Sequence, residues 1–184
     1  MVYRIPAVNL VGRGCLAQLK DEIGTLGCKK ALVVSDKFLT ENGVVEKVTK
    51  VLDQVGIEHT LYNDVKQNPS VANVEGGLEV LKKENCDFIV SIGGGSPQDC
   101  GKAISVLATN GGKITDYEGV NKSQKKCLPI VAIATTAGTS AEVTINYVIT
   151  DEETHIKMIM VDRNTLASIT VNDPELMLSK PAGL

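Results

Sequence analysis

A glycine-rich run carries the first indication of chemistry in this sequence. It reads Gly93-Gly94-Gly95-Ser96-Pro97-Gln98-Asp99. Consecutive glycines let backbone N–H groups approach an anion, and a helix that begins there points its partial positive charge at the same place. A pyrophosphate would fit such a turn, although a turn of this kind also arises for steric reasons alone. The run matches neither Gly-x-Gly-x-x-Gly nor Gly-x-x-x-x-Gly-Lys-Ser/Thr, so it belongs to neither of those nucleotide-binding types.

Carboxylate, hydroxyl and ammonium groups elsewhere could complete a site. Asp36 directly follows an apolar run, where it would accept hydrogen bonds from an adenosine ribose and repel a 2′-phosphate; an Asp at this place equally caps helices. The run 135–144, Thr-Thr-Ala-Gly-Thr-Ser-Ala-Glu-Val-Thr, suits contact with phosphate or ribose oxygens, but would also form an ordinary Ser/Thr turn. Lys157 adds a cation that either reaches water or meets an anion. These alternatives stay open at this point.

Alternating strands and helices must position these groups. Short apolar runs predict strands at 31–35, 57–62, 88–92 and 129–134. Apolar residues at helical spacing predict helices over 15–26, 44–55 and 71–81. A further helix is predicted to open with Ser96 as N-cap and with Asp99 in a variant capping box. This alternation requires parallel strands and right-handed crossovers, so the predicted fold is a doubly wound α/β sheet with its ligand site at the carboxyl ends of the strands.

The two ends of the chain and the region after 143 follow other patterns. Residues 3–11 are predicted to be extended. The runs 143–150 and 156–161 predict a β-hairpin, in which Lys157 shares a face with Ile159 and Val161. Residues 172–184 predict a turn followed by a short helical segment.

Composition excludes several classes of function. A net charge of −3 with scattered Lys and Arg argues against a nucleic-acid partner. No apolar run approaches the roughly 20 residues that cross a bilayer, and no signal-peptide pattern is present, so we expect a cytoplasmic protein without membrane contact. The five cysteines include no Cys-x-x-Cys pair, which predicts reduced thiols. His59 and His155 are too far apart along the chain for a typical metal-ligand pair, so no metal site is predicted within it.

Together, the glycine turn 93–99, the loop 135–139 and the run 142–153 resemble the iron-containing alcohol dehydrogenase family. The resemblance covers essentially the whole chain, and the run 142–153 is most similar to the lactaldehyde reductase group of that family. It implies that residues 1–184 form a Rossmann-like NAD-binding domain with an added β-hairpin. It also implies an oxidoreductase that transfers a hydride between NAD and a short-chain alcohol or aldehyde.

The resemblance further implies which residues contact the cofactor. It places Asp36 at the adenosine ribose, Gly95, Ser96 and Asp99 at the pyrophosphate, and Lys157 at a ribose. The full implied set is Asp36, Asn68, Gly94, Gly95, Ser96, Asp99, Thr135, Thr136, Thr139, Thr144 and Lys157. One departure is Ser140-Ala141, where relatives carry Ala-Ala, Ala-Ser or Gly-Ser, and it moves a hydroxyl by one residue.

Family members hold iron or zinc with an Asp and three His, and the first of these follow a Pro-Ala-x-Leu segment. Here Pro181-Ala182-Gly183-Leu184 are the last four residues. We therefore expect that the last ten or so residues lead into a helical metal domain outside this sequence. We also expect that the catalytic residues lie in that domain and that the 184-residue chain alone is inactive. The resemblance also implies a homodimer formed through residues 1–11.

Competing interpretations remain. Glycerol dehydrogenase and dehydroquinate synthase share a similar glycine turn and an NAD site, but the run 142–153 argues against both. A non-catalytic nucleotide-binding module or remnant, and a scaffold that uses the glycine turn for packing alone, are alternatives from other classes. The residues leave open which alcohol or aldehyde is the substrate, and whether the metal is iron or zinc.

Overall fold

The computed structural model of the protein describes residues 4–178. The strands in this range are β1 (Val8–Val11), β2 (Lys30–Val34), β3 (Glu58–Tyr62), β4 (Phe88–Gly93), β5 (Gly119–Val120), β6 (Ile130–Ala134), β7 (Asn146–Asp151), β8 (Ile156–Val161) and β9 (Ile169–Asn172). The α-helices are α1 (Leu19–Glu22), α2 (Lys37–Glu41), α3 (Val44–Gln54), α4 (Val71–Lys83) and α5 (Gly95–Asn110). Short 3-10 segments lie at Cys15–Gln18, Ile23–Leu26, Ile114–Tyr117, Ala141–Val143, Arg163–Thr165 and Pro174–Leu176.

Six strands form one parallel sheet in the order β1-β9-β6-β4-β2-β3. From β2 the chain moves outward to β3, and it then returns through α4 to form β4 on the other side of β2. The direction of strand addition therefore reverses between β2 and β4. This arrangement confirms the predicted doubly wound α/β fold, and the reversal marks the place where such sheets bind ligands.

Both faces of the main sheet are buried, which explains why its strands are continuous apolar runs. Along β2, Ala31 and Val33 pack with α1, α2 and α3, while Leu32 and Val34 face the core that contains α4 and α5. A strand alternates its side chains between two faces, so a run that is apolar at every position can fill two cores at once.

A second, smaller sheet covers the outer side of α5. Its order is β5-β8-β7, and β7 pairs antiparallel with β8 from Asn146 opposite Val161 to Asp151 opposite Ile156. The predicted hairpin is therefore confirmed. Met158 and Met160 point into the core, while Lys157 and Ile159 are exposed on the opposite face. As a result α5 is buried at every position from Cys100 to Leu107 and not only along one stripe.

Several local details differ from the prediction. The helix predicted over 15–26 consists of two 3-10 segments around the single turn of α1, and it ends at Gly27, whose φ of +66° is the expected left-handed cap. The short elements α2, β5 and β9 were not predicted. Residues 1–3 of the predicted extended opening and 179–184 of the predicted last segment lie outside the described residues. No helix among residues 4–178 has the length and apolar character to span a bilayer.

Candidate functional site

An open cleft of about 470 Å³ lies at the carboxyl ends of β2 and β4, where the direction of strand addition reverses. Its lining includes these residues of the implied cofactor set: Asp36, Gly94, Gly95, Ser96, Thr135 and Thr136. Phe38, Leu39 and Val65 add an apolar wall that the sequence analysis did not identify. Phe38 is 56% exposed although it is one of only two phenylalanines, and an exposed aromatic beside a polar turn could have been taken as a signal.

The glycine turn leaves its backbone open to the cleft. Gly93 has a φ of +151°, and a Cβ built there would lie 2.5 Å from Cγ of Pro97. A Cβ on Gly94 would lie 3.0 Å from Oγ1 of Thr136, and one on Gly95 would lie 3.3 Å from Oγ1 of Thr139. The turn thus packs tightly against the hydroxyl loop, residues 135–140, because it lacks side chains. The first N–H groups of α5, which have no partner within the helix, can then meet an anion.

The predicted capping of α5 was wrong. The helix begins at Gly95, and its N-cap is Gly94 in an extended conformation without a side-chain cap. Because the turn between strand and helix needs only one residue when that residue is glycine, the helix starts earlier than the Ser-Pro pattern indicates. The hydroxyl oxygen of Ser96 instead accepts a hydrogen bond from the Asn68 N–H at 3.3 Å. Asp99 lies further along the helix and accepts the Val148 N–H at 3.1 Å, so no capping box forms.

Asp36 is the N-cap that the sequence offered as one alternative, and it also lines the cleft. Its Oδ1 accepts the Leu39 N–H at 2.8 Å, which makes it the N-cap of α2, and the residue also lines the cleft. Capping occupies only one carboxylate oxygen, so the other can accept hydrogen bonds from a ligand. Next to it, the hydroxyl of Ser35 donates to the Ile92 carbonyl at 2.9 Å and ties the end of β2 to β4.

Asn68 and Lys157 lie together beside the cleft, although neither belongs to its lining. Asn68 follows the lining residue Gln67 and has a φ of +56°. The ammonium of Lys157 donates to Oδ1 of Asn68 at 2.9 Å. The cation therefore meets a neutral amide, and Asn68 connects the hairpin to Ser96 at the start of α5.

A smaller cavity of about 230 Å³ contains the remaining residues of the implied set, Asp99, Thr139 and Thr144. It adjoins the cleft where Gly95 faces Thr139. Burial raises the pKa of Asp99 to about 6, while the nearby Lys102 cation and the Val148 N–H act in the opposite direction. The structure thus separates Asp99 from the residues that line the main cleft.

Lys102 is a buried cation that sequence reasoning missed. It is 1% exposed, and its Nζ donates to the carbonyl oxygens of Ala141 at 2.7 Å and of Thr144 and Asn146 at 2.8 Å. Burial lowers its pKa to about 8, against the opposing effect of Asp99 and Glu142. Its signal in the sequence is that it alone is charged in the run 100–107.

The two histidines lie in unrelated places. Nδ1 of His59 is 3.5 Å from Oδ1 of Asp53, and His155 lies in the turn of the hairpin with a φ of +58°. Within residues 4–178, no three or more His, Cys, Asp or Glu side chains gather in a way that could hold a metal ion. The described residues therefore do not fit a metal, whereas the glycine turn fits a phosphate.

Comparison with known proteins identifies the family. The family model "Iron-containing alcohol dehydrogenase" matches residues 6–174. The chain belongs to this family. The chain is similar to alcohol dehydrogenase 4 of Schizosaccharomyces pombe, with 50% identity over 182 residues, 99% of this chain and 43% of that protein. Lactaldehyde reductase of Escherichia coli is 43% identical over 175 residues, 94% of this chain and 46% of that protein.

One solved structure that is similar to this chain was determined with a bound cofactor. Sulfoacetaldehyde reductase from Bifidobacterium kashiwanohense, solved in complex with NAD+, is 33% identical and superposes with a TM-score of 0.88. The match covers 98% of this chain and 48% of that one. The chain thus spans about half the length of the relatives it matches, and the matched half contains the doubly wound sheet.

Proposed function

We propose that this chain is the NAD(H)-binding part of a metal-dependent alcohol dehydrogenase that acts on a short-chain alcohol or aldehyde. The observation that carries the proposal is the open glycine turn at the start of α5, in the cleft where strand addition reverses. A bound nicotinamide accepts or donates the hydride, and the chain's own residues bind and orient the dinucleotide. Membership in the iron-containing alcohol dehydrogenase family and the NAD+ complex of a relative support this proposal.

The dinucleotide would extend across the cleft in a defined direction. The N–H groups of Gly95 and Ser96 would hold the pyrophosphate, where the partial charge of a 16-residue helix favours an anion. The carboxylate of Asp36 would accept hydrogen bonds from the adenosine ribose. Phe38, which lines the same cleft, would pack against the adenine.

The hydroxyl loop forms the opposite wall. Thr135 and Thr136 would contact the nucleotide from the end of β6, and Asn68 and Lys157 would contact a ribose from the rim. A carboxylate repels a pyrophosphate, so we place Asp99, with Thr139 and Thr144, beside the nicotinamide end in the adjoining cavity, where the ring would carry a positive charge in NAD+ and none in NADH.

We also propose that the metal, iron or zinc, and most of the substrate pocket are supplied by a second, helical part of the full-length protein. Support comes from the relatives, of whose length this chain spans about half. The small-molecule substrate, a cytoplasmic location and a homodimer formed through the N-terminal strand belong to the same proposal.

Titration of NADH into the purified chain tests the function directly. We expect saturable binding, seen as a change in nicotinamide fluorescence, by protein whose circular dichroism shows it to be folded. Gly94→Ala should weaken binding by about tenfold, because its methyl group would occupy the approach to the helix N–H groups 3.0 Å from Thr136.

Gly24→Ala is the matched control. A Cβ there meets nothing within 4 Å and Gly24 lies far along the chain from the cleft, so NADH affinity should not change. A folded wild-type chain that shows no saturable binding would remove the proposal.

A further inference from the structure

Lys102 has an unusual set of partners for a buried cation. An ammonium carries three N–H groups, and here each has its own backbone carbonyl, of Ala141, Thr144 and Asn146, at 2.7 to 2.8 Å. Burying a charge is costly unless its hydrogen bonds are satisfied. The charge is therefore stabilised by three backbone carbonyl groups rather than by a single carboxylate.

The three carbonyls belong to one irregular segment, residues 141–146. This segment connects the hydroxyl loop to β7 through a three-residue 3-10 turn, and it is preceded by Ser140 with a φ of +52°. Its other hydrogen bonds lead to elements other than α5: the Ile145 carbonyl accepts from the Asp162 N–H at 2.9 Å and from the Thr165 hydroxyl at 3.3 Å, and Asn146 pairs with Val161 of β8. Lys102 therefore makes three of the main links between this segment and α5.

Lys102 thus connects α5 to the segment that borders the smaller cavity. Its helix begins with Gly95 and Ser96, which line the cleft, and the segment 141–146 carries Thr144, which lines the adjoining cavity together with Thr139. We propose that Lys102 is a positioning residue, whose ammonium holds the segment 141–146, and through it the hydroxyl loop, against α5, so that the cleft and the adjoining cavity have their shape before the dinucleotide binds. This inference rests on the proposed NAD(H) function.

These three hydrogen bonds depend on the charge state of Lys102. A neutral amine has two N–H groups and a lone pair, so it cannot serve three carbonyl oxygens. Burial lowers the pKa to about 8, and the charged groups that act against this are Asp99 on the same helix and Glu142 in the loop. Because the protonated form holds the loop, affinity for NADH should be full below about pH 8 and decline as the pH rises through that value.

The first test compares Lys102→Met with Lys82→Met, which removes an exposed lysine at the end of α4. Lys102→Met should weaken NADH binding at neutral pH by about tenfold or more, through the loss of charge-assisted hydrogen bonds. Its affinity should no longer decline at alkaline pH, whereas Lys82→Met should follow the wild type. Backbone amides in 139–147 should exchange faster with deuterium in Lys102→Met than in the control. A folded Lys102→Met chain with unchanged affinity and pH profile would overturn the proposal.

A second variant decides the matter even where Lys102→Met fails to fold. Glu142→Gln removes a carboxylate that stabilises the ammonium, so the alkaline loss of affinity should move to lower pH. Glu153→Gln, which changes an exposed residue in the hairpin turn, should leave the pH of this decline unchanged. If the affinity of Glu142→Gln for NADH declines at the same pH as that of the wild type, the charge of Lys102 does not have the proposed role.

Hydrogen exchange separates failure of this inference from failure of the proposed function. If the wild-type chain does not bind NADH at all, the dinucleotide function is lost. The cofactor-free comparison of exchange in 139–147 then still decides whether Lys102 orders the loop.

Discussion

At the scale of the residue, Asp36 joins two roles that can be separated by substitution. It caps α2 through Oδ1 and presents its charge to the cleft. Asp36→Ser keeps an N-cap hydrogen bond and removes the charge, whereas Asp36→Ala removes both. We expect both variants to bind NADPH roughly tenfold more tightly than the wild type, because a 2′-phosphate no longer meets a carboxylate.

Stability distinguishes the two variants. Asp36→Ala should lose about 0.5–2 kcal/mol of unfolding free energy, and Asp36→Ser much less. Parallel NADH and NADPH titrations, with urea unfolding of each variant, measure both effects. Unchanged selectivity in Asp36→Ser would remove Asp36 from cofactor discrimination.

Single residues differ in how far the sequence reveals them. Asp36 could be located from the strand before it, because a residue that follows a buried parallel strand must lie at the ligand edge of the sheet. Lys102 could not be located in this way. A lone charge on an amphipathic helix is normally a solvent position, and only the hairpin packed over α5 makes this one buried.

At the scale of the element, α4 and α5 approach closely because the contact is made by glycine. A Cβ on Gly77 would lie 2.4 Å from Cδ1 of Ile104 and 3.1 Å from Cε1 of Tyr62. Gly77→Ala should therefore cost about 1–3 kcal/mol of unfolding free energy, since both neighbours are in a packed core. Chemical denaturation measures the loss, and Gly24→Ala, which meets nothing, should lose none. Equal stability of Gly77→Ala and the wild type would contradict this packing.

Elements were predictable in proportion to their length and periodicity. The helices α3 and α4 have an apolar stripe over three turns or more, and apolar and polar residues alternate along the strands of the hairpin. The helix α2 has five residues and β9 has four, too few for a period to appear. The helix start at Gly95 was misplaced because side-chain capping rules do not apply to a glycine cap.

At the scale of the whole molecule, the main sheet ends in two edge strands, β1 and β3, and we expect association through β1. Among the described residues β1 pairs only with β9, and its last residue Val11 and the nearby Ile5 are 74% and 70% exposed. Open, apolar strand edges pair readily with another chain. We expect the wild type to behave in light scattering as a dimer of the 19.6 kDa chain, and Val11→Lys to be a monomer.

Val120→Lys controls for the added charge. Val120 is 64% exposed in the smaller sheet, away from β1, so its substitution should leave the dimer intact. A monomeric wild type, or a Val11→Lys variant that remains dimeric, would rule out association through β1.

The pairing of β1 with β9 has a consequence for synthesis. Val8 lies opposite Ile169, and the N–H groups of Gly14 and Leu16 both donate at 3.1 Å to the carboxylate of Asp173, which lies 159 positions after Gly14. A nascent chain leaving the ribosome therefore carries β1 without its partner until β9, the last strand among the described residues, has emerged. Contacts so distant in sequence form slowly, so this apolar segment stays exposed while the other strands of the sheet are made.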